Sequence, residues 1–174
     1  NRKNLNLHHG INVSDKFMKA LEKDESWKLI DPHNKKVIRE VKARQLWIKI
    51  LETRVSTGEP YIMFSDTVNK GLPKELKAKG LKVHHSNLCS EITLPTNPDR
   101  TAVCCLSSVN LEYYDEWKDD THFIDDLMRM LDNVLTYFIK HAPAHLWRAV
   151  ASAKAERSVG LGAMGFHSYL QRKG

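Results

Sequence analysis

The sequence predicts an α/β protein. Short apolar stretches typical of buried strands alternate with longer segments in which apolar residues recur at the 3.6-residue period of a helix. The composition, with 41% hydrophobic and 28% charged residues among 174, is that of a globular chain rather than a disordered one. Because no repeat or linker-like stretch interrupts this pattern, we expect one structural unit over residues 1–174.

The first third of the chain is predicted to begin with a strand over residues 5–13, and Ser14 is a typical N-cap for a following helix. Residues 27–30 form a brief apolar stretch that ends before Asp-Pro. Over residues 36–57 apolar positions return at helical spacing, and Gly58 stands where a C-cap glycine belongs. This segment is therefore predicted to be one helix.

The middle of the chain is predicted to carry two short strands and a loop. Residues 60–64 have the apolar character of a buried strand, and residues 81–85 resemble a second strand after a polar connection. Residues 87–98 contain several turn-prone residues and show no clean period. They are predicted to form a loop.

The last part is predicted to hold a strand, two helices, a strand and a final helix. A strand pattern covers residues 102–109, and the clearest helix follows, with one apolar stripe over residues 124–138. Beyond the proline that ends this helix, residues 145–157 predict a shorter helix. Residues 159–164 predict a strand, and the final helix is expected to begin near Phe166.

Composition excludes several classes of protein. No segment approaches the roughly 18 apolar residues that a membrane span needs, and the first ten residues carry no apolar signal-peptide stretch. Three cysteines, two of them adjacent, argue against a disulfide framework and for a reducing compartment. The chain begins without Met and ends directly after a helical pattern, so we expect it to be a piece of a longer polypeptide.

The net charge of +6 lies in the first half of the chain. Residues 1–87 carry 18 basic and 10 acidic side chains, whereas residues 88–174 carry 9 and 11. A basic half permits nucleic-acid binding, but solvated helix faces account for such charges more often. Because no aromatic residues are interleaved with the basic ones, as single-strand binders require, nucleic acid is not an expected partner.

Two further patterns are weak. Gly160-Leu-Gly-Ala-Met-Gly165 matches the G-x-G-x-x-G pattern of dinucleotide-binding folds, but a charged, helical segment precedes it instead of a buried strand. The alternative is a strand-to-helix turn whose glycines allow close packing. Nine histidines invite a metal hypothesis, yet the adjacent pairs His8-His9 and His84-His85 would point to opposite faces of strands. Structural roles are favoured, and no metal site is expected.

Asn87, Cys89 and Glu91 place an amide, a thiol and a carboxylate at alternating positions. If the loop is locally extended, all three side chains emerge on one side. An amide can bind hydroxyl groups, a carboxylate can take a proton, and a thiol can donate a hydrogen atom or act as a nucleophile. One thiol of the adjacent Cys104 and Cys105 could join this site. From these residues alone, an inert buried cysteine in a polar loop stays an open alternative.

Residues 86–96, Ser-Asn-Leu-Cys-Ser-Glu-Ile-Thr-Leu-Pro-Thr, resemble the finger-loop signature of the ribonucleotide reductase large (catalytic) subunit. Residues 104–111 resemble the strand that carries one of that family's redox cysteines. Residues 54–61 and 159–166 also fit the family in order and spacing, so the similarity runs over essentially the whole chain. The finger loop is the most specific motif, and its Leu88 and Ile-Thr-Leu-Pro-Thr run resemble class I enzymes.

The resemblance implies a fold and a set of residue roles. The chain would form part of a ten-stranded α/β barrel, built from two parallel five-stranded halves, with the finger loop (about 87–98) between strands. Cys89 matches the cysteine that becomes a thiyl radical and abstracts the 3′-hydrogen of the substrate ribose. Glu91 matches the carboxylate that takes the 3′-hydroxyl proton, and Asn87 matches the amide that orients the substrate. Cys104 matches one cysteine of the dithiol that reduces the radical intermediate, whereas Cys105 departs from many relatives and is expected to pack.

The resemblance further implies a cytoplasmic ribonucleoside-diphosphate reductase that supplies deoxyribonucleotides for DNA replication. This segment would bind no cofactor itself. The whole enzyme would take its radical from a small subunit with a dimetal site, its electrons from thioredoxin or glutaredoxin, and its regulation from nucleotide effectors. The family's second redox cysteine lies upstream of residue 1, so the chain is expected to need the remaining parts of the catalytic subunit for activity. The alternative is a non-catalytic remnant or assembly module of a split reductase, whose open barrel edge partner chains would cover.

Overall fold

The computed structural model describes residues 7–174. The chain divides into two compact units, Asn1–Pro95 and Thr96–Gly174. The strand predicted over residues 5–13 is formed only as Gly10–Val13, because residues 7–9 are not part of it, and residues 5 and 6 lie outside the described residues. The elements of the first unit are β1 (Gly10–Val13), α1 (Asp15–Glu22), β2 (Ser26–Ile30), β3 (Val37–Lys42), α2 (Ala43–Thr57), β4 (Tyr61–Phe64), α3 (Ser65–Gly71) and α4 (Lys74–Ala78).

The first unit combines a parallel strand pair with an antiparallel hairpin. β1 and β4 run parallel, with Gly10 opposite Tyr61, and β2 and β3 run antiparallel. Strand β1 and helix α1 contribute Val13 and Phe17 to a shared hydrophobic core. The rings of Phe17 and Trp27 pack edge to face, with their centroids 5.1 Å apart. This core fixes β1 against α1, α2 and the hairpin.

Two predicted helix ends are confirmed. The Ser14 hydroxyl accepts a hydrogen bond from the Phe17 amide at 3.2 Å, so Ser14 caps α1 by satisfying one of its unpaired N–H groups. Gly58 ends α2 in the left-handed region, with φ +77°, a conformation that glycine adopts without the steric penalty other residues meet.

The prediction of one helix over residues 36–57 is wrong for its first part. Residues 37–42 form β3, which pairs with β2 and places Val41 opposite Trp27. β-branched Val37, Ile38 and Val41 favour an extended chain, and the hairpin supplies the partner strand that a helical period cannot reveal. Helix α2 begins only at Ala43, which is fully buried.

The predicted strand over residues 81–85 is not formed. Within the described part of the chain this segment pairs with no other strand, although Val83 is 1% exposed. Side-chain amides of Asn69 and Asn12 bind its backbone in place of a neighbouring strand. The polar connection before it, over residues 65–80, contains α3 and α4, two short helices that its mixed composition did not predict.

The second unit is built on a parallel pair covered by helices. β5 and β6 align Cys105 with Val159, and β5 begins at Cys105 rather than at residue 102 as predicted. The predicted stripe of the long helix is confirmed at its centre, where Leu131 and Leu135 are buried. The elements of this unit are β5 (Cys105–Asn110), α5 (Tyr114–Trp117), α6 (Phe123–His141), α7 (Trp147–Glu156), β6 (Val159–Met164) and α8 (Phe166–Lys173), with 3-10 turns at Leu111–Tyr113 and Ala144–Leu146.

The glycine motif serves packing between β5 and β6. A Cβ atom on Gly160 would lie 2.5 Å from Leu106 Cδ2, and one on Gly162 would lie 2.9 Å from Ser108 Oγ. Gly165, with φ +71°, turns the chain from β6 into α8. This is the strand-to-helix turn that the sequence left as the alternative to a nucleotide-binding loop.

Two arginines fasten residues 97–100 to α7 within the second unit. Arg100 Nη2 lies 3.0 Å from Glu156 Oε1 in an ion pair whose side chains are both largely buried, and Arg148 donates to the carbonyl oxygen of Pro98. Between residues 7 and 174, none of the helices combines the length and the apolarity that crossing a bilayer requires.

Candidate active site

The finger loop, residues 87–98, begins with a tight turn rather than an extended segment. The Asn87 amide donates to the Ile92 carbonyl oxygen at 3.1 Å, and the Ser90 amide donates to the Asn87 carbonyl oxygen at 3.2 Å. Ser90 adopts φ +68°, which reverses the chain between these two bonds. An extended segment, which would place the three alternating polar side chains on one side, is therefore not formed here. The loop instead folds back on itself in a turn.

This turn brings two of the predicted site residues into contact. Asn87 Nδ2 donates to Glu91 Oε1 at 2.6 Å, while Asn87 Oδ1 accepts from the Ile92 amide at 2.9 Å. The side-chain amide is thus held at both ends and fixes one oxygen of the carboxylate. Cys89 lies between these residues in the turn, and its side chain is exposed. An amide, a carboxylate and an accessible thiol are therefore presented by one short turn.

A cavity of about 310 Å³ lies beside the turn. Its lining includes Asn87, Leu88 and Ser90 of the turn together with His8 and His9 from the segment before β1. These side chains make the cavity predominantly polar, so it is suited to a hydroxylated or charged small molecule rather than to an apolar one.

The histidine pair before β1 has a partner that the sequence did not reveal. Glu59 is buried, with its Oε1 2.5 Å from His8 Nδ1 and its Oε2 accepting from the His9 amide at 3.2 Å. These contacts join the start of β1 to the residues just before β4, the strand paired with it. No sequence signal linked two positions about fifty residues apart.

Cys104 lies in the second unit, immediately before β5. Its thiol is half-buried and donates to the Cys105 carbonyl oxygen at 3.8 Å. Burial raises the pKa of the Cys104 thiol above its ordinary value, and the neighbouring Cys105 raises it further. Burial also raises the pKa of Cys105. Both sulfurs are therefore protonated thiols near neutral pH, which favours hydrogen donation over nucleophilic attack.

Across residues 7–174, histidine, cysteine and acidic side chains do not gather in groups of three or more that could hold a metal ion. Cys89, Cys104 and Cys105 are all free thiols.

Comparison with known proteins places the chain in a family. All residues, 1–174, match the family described as "Ribonucleotide reductase, barrel domain". The chain belongs to the ribonucleotide reductase barrel-domain family. Over 95% of its length it superimposes on the Actinobacillus ureae class Id ribonucleotide reductase alpha subunit, with a TM-score of 0.79 and 40% sequence identity, and covers 29% of that protein.

Viral relatives are closer in sequence. The chain is 59% identical over 175 residues to a Frog virus 3 protein provisionally named ribonucleoside-diphosphate reductase large subunit, covering 99% of this chain and 31% of that protein. It is 43% identical over 227 residues to the ribonucleoside-diphosphate reductase large subunit of Invertebrate iridescent virus 3, covering 99% and 36%. The chain thus spans about a third of the length of these curated relatives.

The predicted fold class is confirmed. The chain is an α/β segment of the reductase barrel, and its β1–β4 and β5–β6 pairs are parallel, as strands of such a barrel are. The resemblance stated from the finger-loop motif is confirmed by the same match.

Proposed function

We propose that this chain contributes the radical-bearing finger loop and one redox cysteine of a ribonucleoside-diphosphate reductase, which converts ribonucleoside diphosphates to 2′-deoxyribonucleoside diphosphates. The observation that carries the proposal is the Asn87–Glu91 hydrogen bond of 2.6 Å across a turn that presents Cys89. Membership of the reductase barrel family and the names of the relatives support it.

In the proposed first step, Cys89 acts as a thiyl radical, which forms when its thiol loses a proton to a base and one electron to the radical of a small subunit with a dimetal site. The C3′–H bond of the ribose breaks, an S–H bond forms on Cys89, and the unpaired electron passes to C3′. Glu91 accepts the proton of the 3′-hydroxyl, since a carboxylate within hydrogen-bond reach can act as a general base. Asn87 orients both Glu91 and the substrate, which holds the reacting atoms in a productive geometry.

In the proposed second step, the 2′-hydroxyl leaves as water and C2′ is reduced. Cys104 and a second cysteine elsewhere in the reductase together supply two protons and two electrons. One proton departs in the water, one hydrogen becomes bonded to C2′, and the two sulfurs form a disulfide. Glu91 then returns its proton to the 3′-oxygen, and the hydrogen on Cys89 returns to C3′, which regenerates the thiyl radical. The raised pKa of Cys104 supports this role, because a protonated thiol carries the hydrogen that the step consumes.

The proposal includes partners beyond this chain. The remaining parts of the catalytic subunit would supply the second redox cysteine, since the chain's other cysteines are Cys89 and Cys105, so the 174 residues alone would not turn over. A radical-generating small subunit, thioredoxin or glutaredoxin as reductant, and nucleotide effectors complete the enzyme. We propose that it acts in the cytoplasm, where ribonucleotides are available and thiols stay reduced.

The test is deoxyribonucleotide formation by the full-length large subunit with its small subunit and a reductant. Cys89→Ser is expected to abolish all product, because serine cannot form the hydrogen-abstracting radical. Cys104→Ser is expected to stop repeated turnover, because no disulfide can form. Cys105→Ser is the matched control and should retain activity. Full activity of a folded Cys89→Ser protein would overturn the proposal.

A further inference from the structure

The segment that leads into the finger loop, residues 81–86, is held in an unusual way. Val83 is 1% exposed, yet among residues 7–174 no strand pairs with this segment. Buried backbone N–H and C=O groups almost always find hydrogen-bond partners. The partners of Val83 are both on one side chain.

Asn69, on α3, binds both backbone groups of Val83. Its Oδ1 accepts from the Val83 amide at 2.9 Å, and its Nδ2 donates to the Val83 carbonyl oxygen at 2.9 Å. The same Nδ2 donates to the Ser65 carbonyl oxygen at 2.8 Å, which fixes the orientation of the amide. Asn69 thus makes the pair of hydrogen bonds that a residue of a neighbouring strand would make.

A second asparagine side chain binds the residue that follows Val83. Asn12, on β1, donates from Nδ2 to the His84 carbonyl oxygen at 2.8 Å. Helix α3 is itself bonded to the end of β1, because Ser65 Oγ donates to the Val13 carbonyl oxygen at 3.3 Å. It is also bonded to the start of α1, because Asp66 Oδ2 accepts from the Asp15 amide at 2.7 Å. β1 and α3 are therefore bonded to each other, and together they hold the backbone of Val83 and His84 in place.

We propose that Asn69, assisted by Asn12, is the positioning residue of the finger loop. Val83 and His84 lie four and three positions before Asn87, so the position in which these two residues are held sets where the turn begins. The Asn87–Glu91 pair and Cys89 follow within that turn. Asn69 touches none of these three residues in the contacts described and acts through the backbone. The catalytic part of this inference rests on the proposed function, whereas the structural part does not.

Asn69→Asp is the sharpest variant. Aspartate has nearly the same shape and keeps an acceptor for the Val83 amide, but it has no N–H to donate. Its second oxygen would face the carbonyl oxygens of Val83 and Ser65, which turns two hydrogen bonds into repulsions. Asn133→Asp is the matched control, because Asn133 is an exposed asparagine on α6 and the change in charge is the same.

The structural readout is backbone hydrogen exchange in the natural full-length protein, followed by mass spectrometry of peptides that cover residues 82–92. Asn69→Asp is expected to speed exchange in these peptides by at least about fivefold, as the loss of one hydrogen bond would. Peptides from β5 and β6 should be unchanged, and Asn133→Asp should resemble the wild type. Unchanged exchange over residues 82–92 in folded Asn69→Asp protein would overturn the proposal.

The catalytic readout separates positioning from general stability. In active enzyme, Asn69→Asp is expected to lower kcat by at least about tenfold, since small displacements of reacting groups are costly, while KM for the nucleotide changes less than about threefold. An unchanged kcat would overturn the catalytic part. If the wild type itself forms no deoxyribonucleotide, the proposed function fails, and the exchange experiment still decides the structural part. If Asn69→Asp does not fold, Asn12→Asp removes the bond to His84 and must show the same local increase in exchange.

Discussion

Cys104 shows how the surroundings of one residue prepare it for its proposed role. Its thiol is half-buried beside Cys105, and burial raises its pKa above the ordinary value of 9.0. A raised thiol pKa lowers the thiolate fraction at a given pH. The thiolate is the species that attacks electrophiles, so Cys104 should be a poor nucleophile and a good hydrogen donor near pH 7.

We predict that alkylation of Cys104 by iodoacetamide in the reduced, folded protein is slow at pH 7 to 8 and reaches its plateau at a higher pH than in the unfolded protein, because burial raises the pKa of the thiol. Mass spectrometry of the cysteine peptides over a pH series measures this. The same peptides in urea-denatured protein are the control, because unfolding removes the burial and should restore ordinary reactivity. A plateau at or below pH 8 in the folded protein would contradict the assignment.

At this scale the sequence singled out candidate site residues, but it did not predict their geometry. The types and spacing of Asn87, Cys89 and Glu91 carried the resemblance to the family. Their alignment along an extended strand was the wrong premise, because φ +68° at Ser90 reverses the chain. The contact of Glu59 with His8 could not be predicted, since nothing in a single sequence links positions about fifty residues apart.

Among the elements, α6 gives the most direct link between sequence pattern and stability. Leu135 is 0% exposed and Leu131 is 2% exposed, whereas Val134 on the same helix is 47% exposed. An apolar side chain that packs on all sides leaves a cavity when it is truncated.

We predict that Leu135→Ala lowers the free energy of unfolding by about 2–5 kcal/mol. Val134→Ala, the control on the adjacent position, should change it by less than about 0.5 kcal/mol, as is usual for exposed sites. Urea denaturation followed by circular dichroism measures both values in the full-length protein. Equal losses for the two variants would show that α6 is not buried along the face described.

The elements that sequence periodicity predicted well are those whose local pattern and tertiary surroundings agree. The buried centre of the α6 stripe, the cap at Ser14 and the turn at Gly58 are of this kind. Residues 37–42 form a strand because a hairpin partner is present, and residues 81–85 do not because side-chain amides take the place of a partner. Both outcomes depend on contacts that a single sequence does not display.

At the scale of the whole molecule, the barrel is the structure that the proposed chemistry requires. Each sheet within residues 7–174 has two strands, and parallel sheets in α/β proteins are normally buried on both faces. Each strand of a two-stranded sheet has one unpaired edge, and a closed barrel pairs that edge with a further strand. Enclosure would also shield Cys89 and Leu88, which is 72% exposed, from solvent, as a thiyl radical needs.

Release of tritium from a [3′-³H]ribonucleoside diphosphate tests the central claim most directly. Abstraction of the 3′-hydrogen by Cys89 predicts that the full-length large subunit, with its small subunit and reductant, transfers some tritium to water during turnover. Cys89→Ser should release none, while Cys105→Ser should release it at close to the wild-type rate. Wild-type release from a folded Cys89→Ser protein would contradict the assignment of Cys89 as the hydrogen-abstracting residue.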